Sequence, residues 1–114
     1  MASLGKVTLT SISDKRYRFR VFPLGTRFRS VSGVYVITQR TNQADGRHRH
    51  KVLYVGHSED LSQPLNPRRK APDFAKYGAN CICVLSDESA DSRREKEQDL
   101  ITSFSPVCNA ARAG

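Results

Sequence analysis

The sequence predicts an α+β domain, an antiparallel sheet with helices packed on it, and three observations predict it. Residues 17–21 alternate aromatic or apolar side chains with arginine, the period-2 pattern of a half-buried strand. Two β-branched and aromatic runs, residues 33–38 and 51–55, flank a segment containing Asp45-Gly46, a strong hairpin turn signal. Residues 86–89, Ser-Asp-Glu-Ser, then supply helix N-cap chemistry ahead of the best helical segment, residues 90–104.

Each element follows from its residues. Residues 1–15 are small, polar and weakly patterned, and are expected to fray as a flexible N-terminal segment. Pro23-Leu24-Gly25 ends the first strand, and a basic connector over 26–32 leads to the second. The strands at 33–38 and 51–55 form an antiparallel hairpin with a basic tip. After Gly56, Ser58 or Asp60 can cap a helix beginning near Leu61, but Pro64 and Pro67 each remove a backbone donor and break it. Pro72 suits the first turn of a short helix over 73–77, which Gly78 stops. Residues 80–85 read as another core strand. In the closing helix the apolar stripe Leu100, Ile101 and Phe104 extends backwards onto Glu97, Arg94 and Arg93, so one face turns from apolar to ionic. Glu97 then either pairs with Arg93 or Arg94 or serves a site. Beyond Pro106, residues 107–109 are expected to be extended.

Composition bounds function. The 114 residues fit one domain, with no room for separate catalytic and regulatory units. The net charge of +8, mostly arginine, attracts polyanions, of which nucleic acid is the commonest. No apolar run is long enough to span a membrane, and the N-terminus lacks a secretory core, so a cytoplasmic protein is expected. Three cysteines, Cys81, Cys83 and Cys108, are too few for a disulfide framework. Cys81 and Cys83 share one face of a strand and read as buried, inert thiols, since His48, His50 and His57 stand at no recognised zinc spacing from them.

Gly33-Val34-Tyr35 and Tyr54-Val55-Gly56, on two strands of one hairpin, resemble the two signature tripeptides of the GIY-YIG nuclease superfamily. Ser58-Glu59-Asp60-Leu61 is similar to the helix start after the second tripeptide, residues 97–101 to the metal-binding helix, and Pro106-Val107-Cys108-Asn109 to the closing motif. The resemblance runs from Gly33 to Asn109 and implies a single GIY-YIG-like domain over 16–114. It implies a metal-dependent endonuclease acting on DNA ahead of RNA, with Glu97 holding one magnesium or manganese ion. Magnesium suits a single carboxylate because it keeps several waters and binds substrate oxygens. Tyr35 would position or deprotonate the attacking water, which an ordinary phenol, ionising near pH ~10, does only when activated. Tyr54 would orient phosphate or water beside it. Asn109 would fix local structure or touch nucleic acid, and Arg47, Arg49, Arg69 and Lys70 would bind the backbone. Tyr35, Tyr54 and Glu97 are expected to share one pocket.

One position departs from the family pattern. The transition-state arginine of the following helix falls on Pro64, which offers neither charge nor donor. Arg68 lies one turn further on and is the replacement this sequence offers. The alternative is a catalytically inactive GIY-YIG-fold module that binds nucleic acid or a protein partner through the same basic cleft. With no attached recognition domain, targeting would fall to a partner chain, a second copy or a distorted substrate.

Overall fold

The computed structural model describes residues 3–63 and 74–109. Five strands, β1 (Gly5–Thr10), β2 (Arg16–Pro23), β3 (Gly33–Asn42), β4 (His48–Ser58) and β5 (Cys81–Ser86), precede one long helix, α1 (Ala90–Phe104). All neighbouring strands are antiparallel, in the order β1-β2-β5-β3-β4. The α+β class is therefore as expected. Among the described residues, no helix is long and apolar enough to cross a membrane.

β1 overturns the expected fraying of the N-terminal segment. Val7 and Leu9 alternate with Lys6, Thr8 and Thr10, and the strand pairs with β2 from Gly5↔Val21 to Thr10↔Arg16. Asp14 takes a left-handed conformation in the connecting turn, which an aspartate tolerates better than most residues. The strand is short and polar on one side, so its period-2 signal is faint.

Strand alternation sorts the core into two layers. On one face Phe19, Val21, Val34, Val36, Val55 and Cys83 pack against Leu100 of α1. On the other, Ile37, Leu53, Tyr54, Ile82 and Val84 pack with Leu61, Phe74 and Cys108. β5 is covered on both faces, which is why residues 81–85 form a continuous apolar run instead of an alternating one. The pairing of β3 with β4 shifts between Ile37 and Thr38, leaving Leu53 as an extra residue, so that Leu53 and Tyr54 both join the second layer. The three thiols are buried and form no disulfide, and burial pushes Cys83 up to about 12, so Cys83 is an inert thiol.

The C-terminal end differs from expectation. Ser105 adopts a left-handed conformation that ends α1, and its N–H donates to the Ile101 carbonyl. Residues 107–109 are then helical, not extended, because Pro106 opens a new turn as readily as it ends an old one. That turn drives Cys108 into the second layer with no exposed surface. Between β4 and β5, Asp60 Oδ1 accepts from the Ser62 N–H at 2.9 Å, forming the expected cap of a turn at Leu61. Residues 74–76 form a helical turn, and Gly78 follows with φ +74°.

Asp87 anchors the start of α1. Its carboxylate accepts from the Ser89 N–H, the Ser92 hydroxyl and, at 2.6 Å, the Lys96 ammonium. Its carbonyl accepts from Arg93 and its own N–H donates to Ser32. The Lys96 hydrogen bond, first among these contacts, holds the Asp87 carboxyl down to about 2. A depressed carboxyl stabilises the fold above the unfolded-state value of 3.8, and that contribution is lost as pH falls toward about 2. Urea unfolding followed from pH 5 to pH 2 is therefore expected to show a stability decline between pH 4 and 2 that Asp87→Asn flattens.

Candidate active site at the end of the β3–β4 ribbon

The signature tripeptides meet because of strand register. Tyr35 lies opposite Gly56, and Ile37 opposite Tyr54, so the two tyrosines are diagonal neighbours on the second-layer face. Their ring centroids are 6.0 Å apart with planes inclined by 33°, and Phe74 lies 5.9 Å beyond Tyr54. Tyr54 is 5% exposed. Tyr35 is only half-buried and is the more accessible of the two.

Gly56 is a steric requirement of this arrangement. A Cβ at that position would lie 2.6 Å from both Cζ and Oη of Tyr35. The Tyr35 ring therefore rests on the bare backbone of Gly56, and its hydroxyl is held at the strand end. Gly33, the first residue of the other tripeptide, is constrained too, since a Cβ there would meet the Leu85 carbonyl oxygen at 2.5 Å. Both glycines are kept for close approach, and at Gly56 that approach makes a shelf for the Tyr35 ring.

Glu97 enters from the opposite face. It lies one turn before Leu100 in α1, and its side chain is only 16% exposed. Its Oε1 is 3.8 Å from Nε2 of His57, the residue after Gly56. The two aromatic rings and the acid thus belong to different faces of the ribbon, not to one shared face as expected. They are linked through the Gly56–His57 peptide, which carries the Tyr35 phenol on one side and the imidazole reaching Glu97 on the other. Arg94 pairs with Asp91 at 3.8 Å, and Arg93 donates to the Asp87 carbonyl.

His57 is the residue that the sequence did not single out for this site. Its only signal is alternation, since it follows Gly56 and faces the layer that α1 covers. Of the donors at this point, the Glu97 carboxylate suits a hard divalent ion that retains water and takes substrate oxygens, whereas the His57 imidazole is a softer donor that such an ion does not favour. Among the described residues no group of three or more His, Cys, Asp or Glu side chains forms a closed metal cage.

The remaining expected residues distribute as follows. The Asn109 side chain accepts from the Val55 N–H at 2.8 Å and donates to the Val55 carbonyl at 2.9 Å. Of its two implied roles, fixing local structure is the one this geometry performs. Arg47 and Arg49 stand at the distal tip of the hairpin, on the order of 20 Å along the strand from Gly56, so they do not join the tyrosines. Arg47 is also paired with Asp45 at 3.7 Å. Arg68, Arg69 and Lys70 lie outside the described residues, as does Pro64. A third phenol, Tyr17, donates to Asp99 at 2.7 Å on the α1 face, and burial followed by that bond raises it to about 12. It stays neutral and ties β2 to α1.

In comparisons with known proteins, the chain matches no family model, no curated protein and no solved structure.

The glycine shelf gives a direct test. Gly56→Ala is expected to cost about 1–3 kcal/mol by overpacking against the Tyr35 ring. In a Tyr35→Ala background that cost is expected to fall by at least about 1 kcal/mol, measured by urea unfolding as a double-mutant cycle.

Proposed function

We propose that the chain is a metal-dependent endonuclease of GIY-YIG type that hydrolyses nucleic-acid phosphodiesters. The observation that carries this reading is the arrangement at the end of the β3–β4 ribbon. The Tyr35 phenol sits on Gly56 with Tyr54 beside it, while the next residue, His57, reaches a mostly buried glutamate from the helix.

Hydrolysis adds water across the P–O bond: a water oxygen bonds to phosphorus, the ester oxygen departs, and the two protons end on the departing alcohol and the solvent. Tyr35 would hold the attacking water by hydrogen bonding and accept its proton. Tyr54 buttresses the Tyr35 ring and limits where a phosphate can sit. Glu97 would hold magnesium or manganese, which when bound supplies positive charge for the phosphate oxygens. Arg68 takes the cationic role that Pro64 cannot fill, and Arg69 and Lys70 contact the backbone.

A second reading, an inactive module of the same fold, is favoured by one observation, Pro64 at the arginine position. Purified protein with magnesium or manganese is expected to nick supercoiled plasmid, and Glu97→Gln to abolish nicking while leaving the melting temperature unchanged. Equal nicking by wild type and variant would mean contamination, and no nicking by either would leave the inactive module. In the active case Arg68→Ala is expected to reduce turnover on the order of 10²-fold, the scale of losing one preorganised charge, and Arg47→Ala far less. Equal losses in that plasmid assay would reduce both residues to phosphate holders.

A further inference from the structure

A second feature lies on the same sheet face, on the strands next to the tyrosines in the direction of β1. On β2 the inward side chains are Tyr17, Phe19 and Val21, so Arg16, Arg18, Arg20 and Phe22 point to the second-layer face. There the covering residues stop: the three arginines are exposed and Phe22 is half-buried. Residues 26–29 fold over this bare area and bring Arg27, Phe28 and Arg29 to it. Phe28 meets Phe22 edge to face at 5.1 Å between centroids. The result is a half-open groove of about 640 Å³, with Val84 in its lining, Arg18, Arg20, Arg27 and Arg29 along it and the two phenylalanines inside.

Charge makes this groove unusual. Among the described residues, no carboxylate lines it. Among the described residues, the ion pairs involve Arg47, Arg94, Lys96 and His57, and none involves these four arginines. Four guanidinium groups around one concavity repel one another, and only an anionic ligand offsets that. Aromatic rings inside a basic groove add a further requirement, a ligand with exposed flat faces between its charges. Unpaired nucleotides meet both conditions, whereas a duplex hides its base faces.

Register aims the groove. Lys6 pairs with Arg20, Arg20 with Val84, Val84 with Tyr35 and Tyr35 with Gly56, so one cross-strand row joins all five strands. Opposite residues share a face, which places the Arg20 and Tyr35 backbones about 10 Å apart on one surface.

We propose that this arginine and phenylalanine groove on β2, β5 and the 26–29 loop is a binding site for single-stranded nucleic acid, whose path leads along the cross-strand row to Tyr35. Binding here does not depend on the nuclease reading, because the groove needs neither Glu97 nor metal.

The test is fluorescence anisotropy of a labelled single-stranded thymidine oligonucleotide with the full chain in EDTA, which suppresses cleavage. Wild type is expected to bind with strong salt dependence. Arg20→Ala with Arg29→Ala should weaken binding at least tenfold, and Phe28→Leu several-fold. Lys15→Ala with Arg94→Ala removes the same charge on the α1 side, where Lys15 lies near Asp99, and should change affinity less than twofold. Phe28→Leu should leave binding of an abasic phosphodiester chain unchanged. Equal loss in the two double variants would reduce the effect to net charge and overturn the proposal. So would a duplex of the same length, or an anionic phosphatidylserine vesicle, bound tighter than the oligonucleotide and indifferent to Phe28. Loss of nicking by Glu97→Gln with oligonucleotide binding intact separates this site from the catalytic one.

Discussion

Everything in this molecule depends on the placement of β5. The chain makes two local hairpins, β1–β2 and β3–β4, and they do not pair with each other. The strand that joins them comes from residues 81–86, and it fits because its residues are apolar on both sides, like the central residues of β3 and β4. Contacts of high sequence separation therefore create both the row from Lys6 to Gly56 and the surface on which α1 lies. Such contacts close large loops, so pairing β5 costs more chain entropy than forming either hairpin.

The ribbon end shows how a short motif acquires physical meaning. Glycine at position 56 is a shelf, tyrosine at 35 is what rests on it, and the register that opposes them follows from an eleven-residue strand paired along its length. The bulge at Leu53 brings Tyr54 into phase with Tyr35. On the other face, Asp87, Asp99 and Leu100 fix the rotation and height of α1, and with them the point at which Glu97 meets His57. Tyr17 and Asp99 matter here as fasteners, since their hydrogen bond joins strand and helix close to the acid.

Much of this was readable in the residues themselves. The helix over 90–104 is legible because Ser89 caps it and Pro106 follows its end, both local effects, and the β3–β4 hairpin because Asp45-Gly46 demands a turn, with Gly46 at positive φ. β1 was missed since Val7 and Leu9 are its only inward side chains and it gains its stability from β2. The turn at 107–109 was misread because proline marks an end and a beginning equally well. His57 and the separation of the tyrosines from Glu97 onto different faces were invisible, because they depend on which side of a ribbon the helix covers. The alternation on β2 was plain, but not that its arginine side would remain uncovered.

The Asn109 amide has a consequence for assembly. β4 is the outermost strand on its side, and an outermost strand offers unsatisfied backbone groups to any passing chain. At Val55 both groups are already engaged by a side chain that mimics another strand. Growth of the sheet by edge-to-edge addition is blocked there, beside the ribbon end, so a strand adding to β4 has to pair elsewhere along it, and at the other edge the lysine and threonines of β1 discourage pairing.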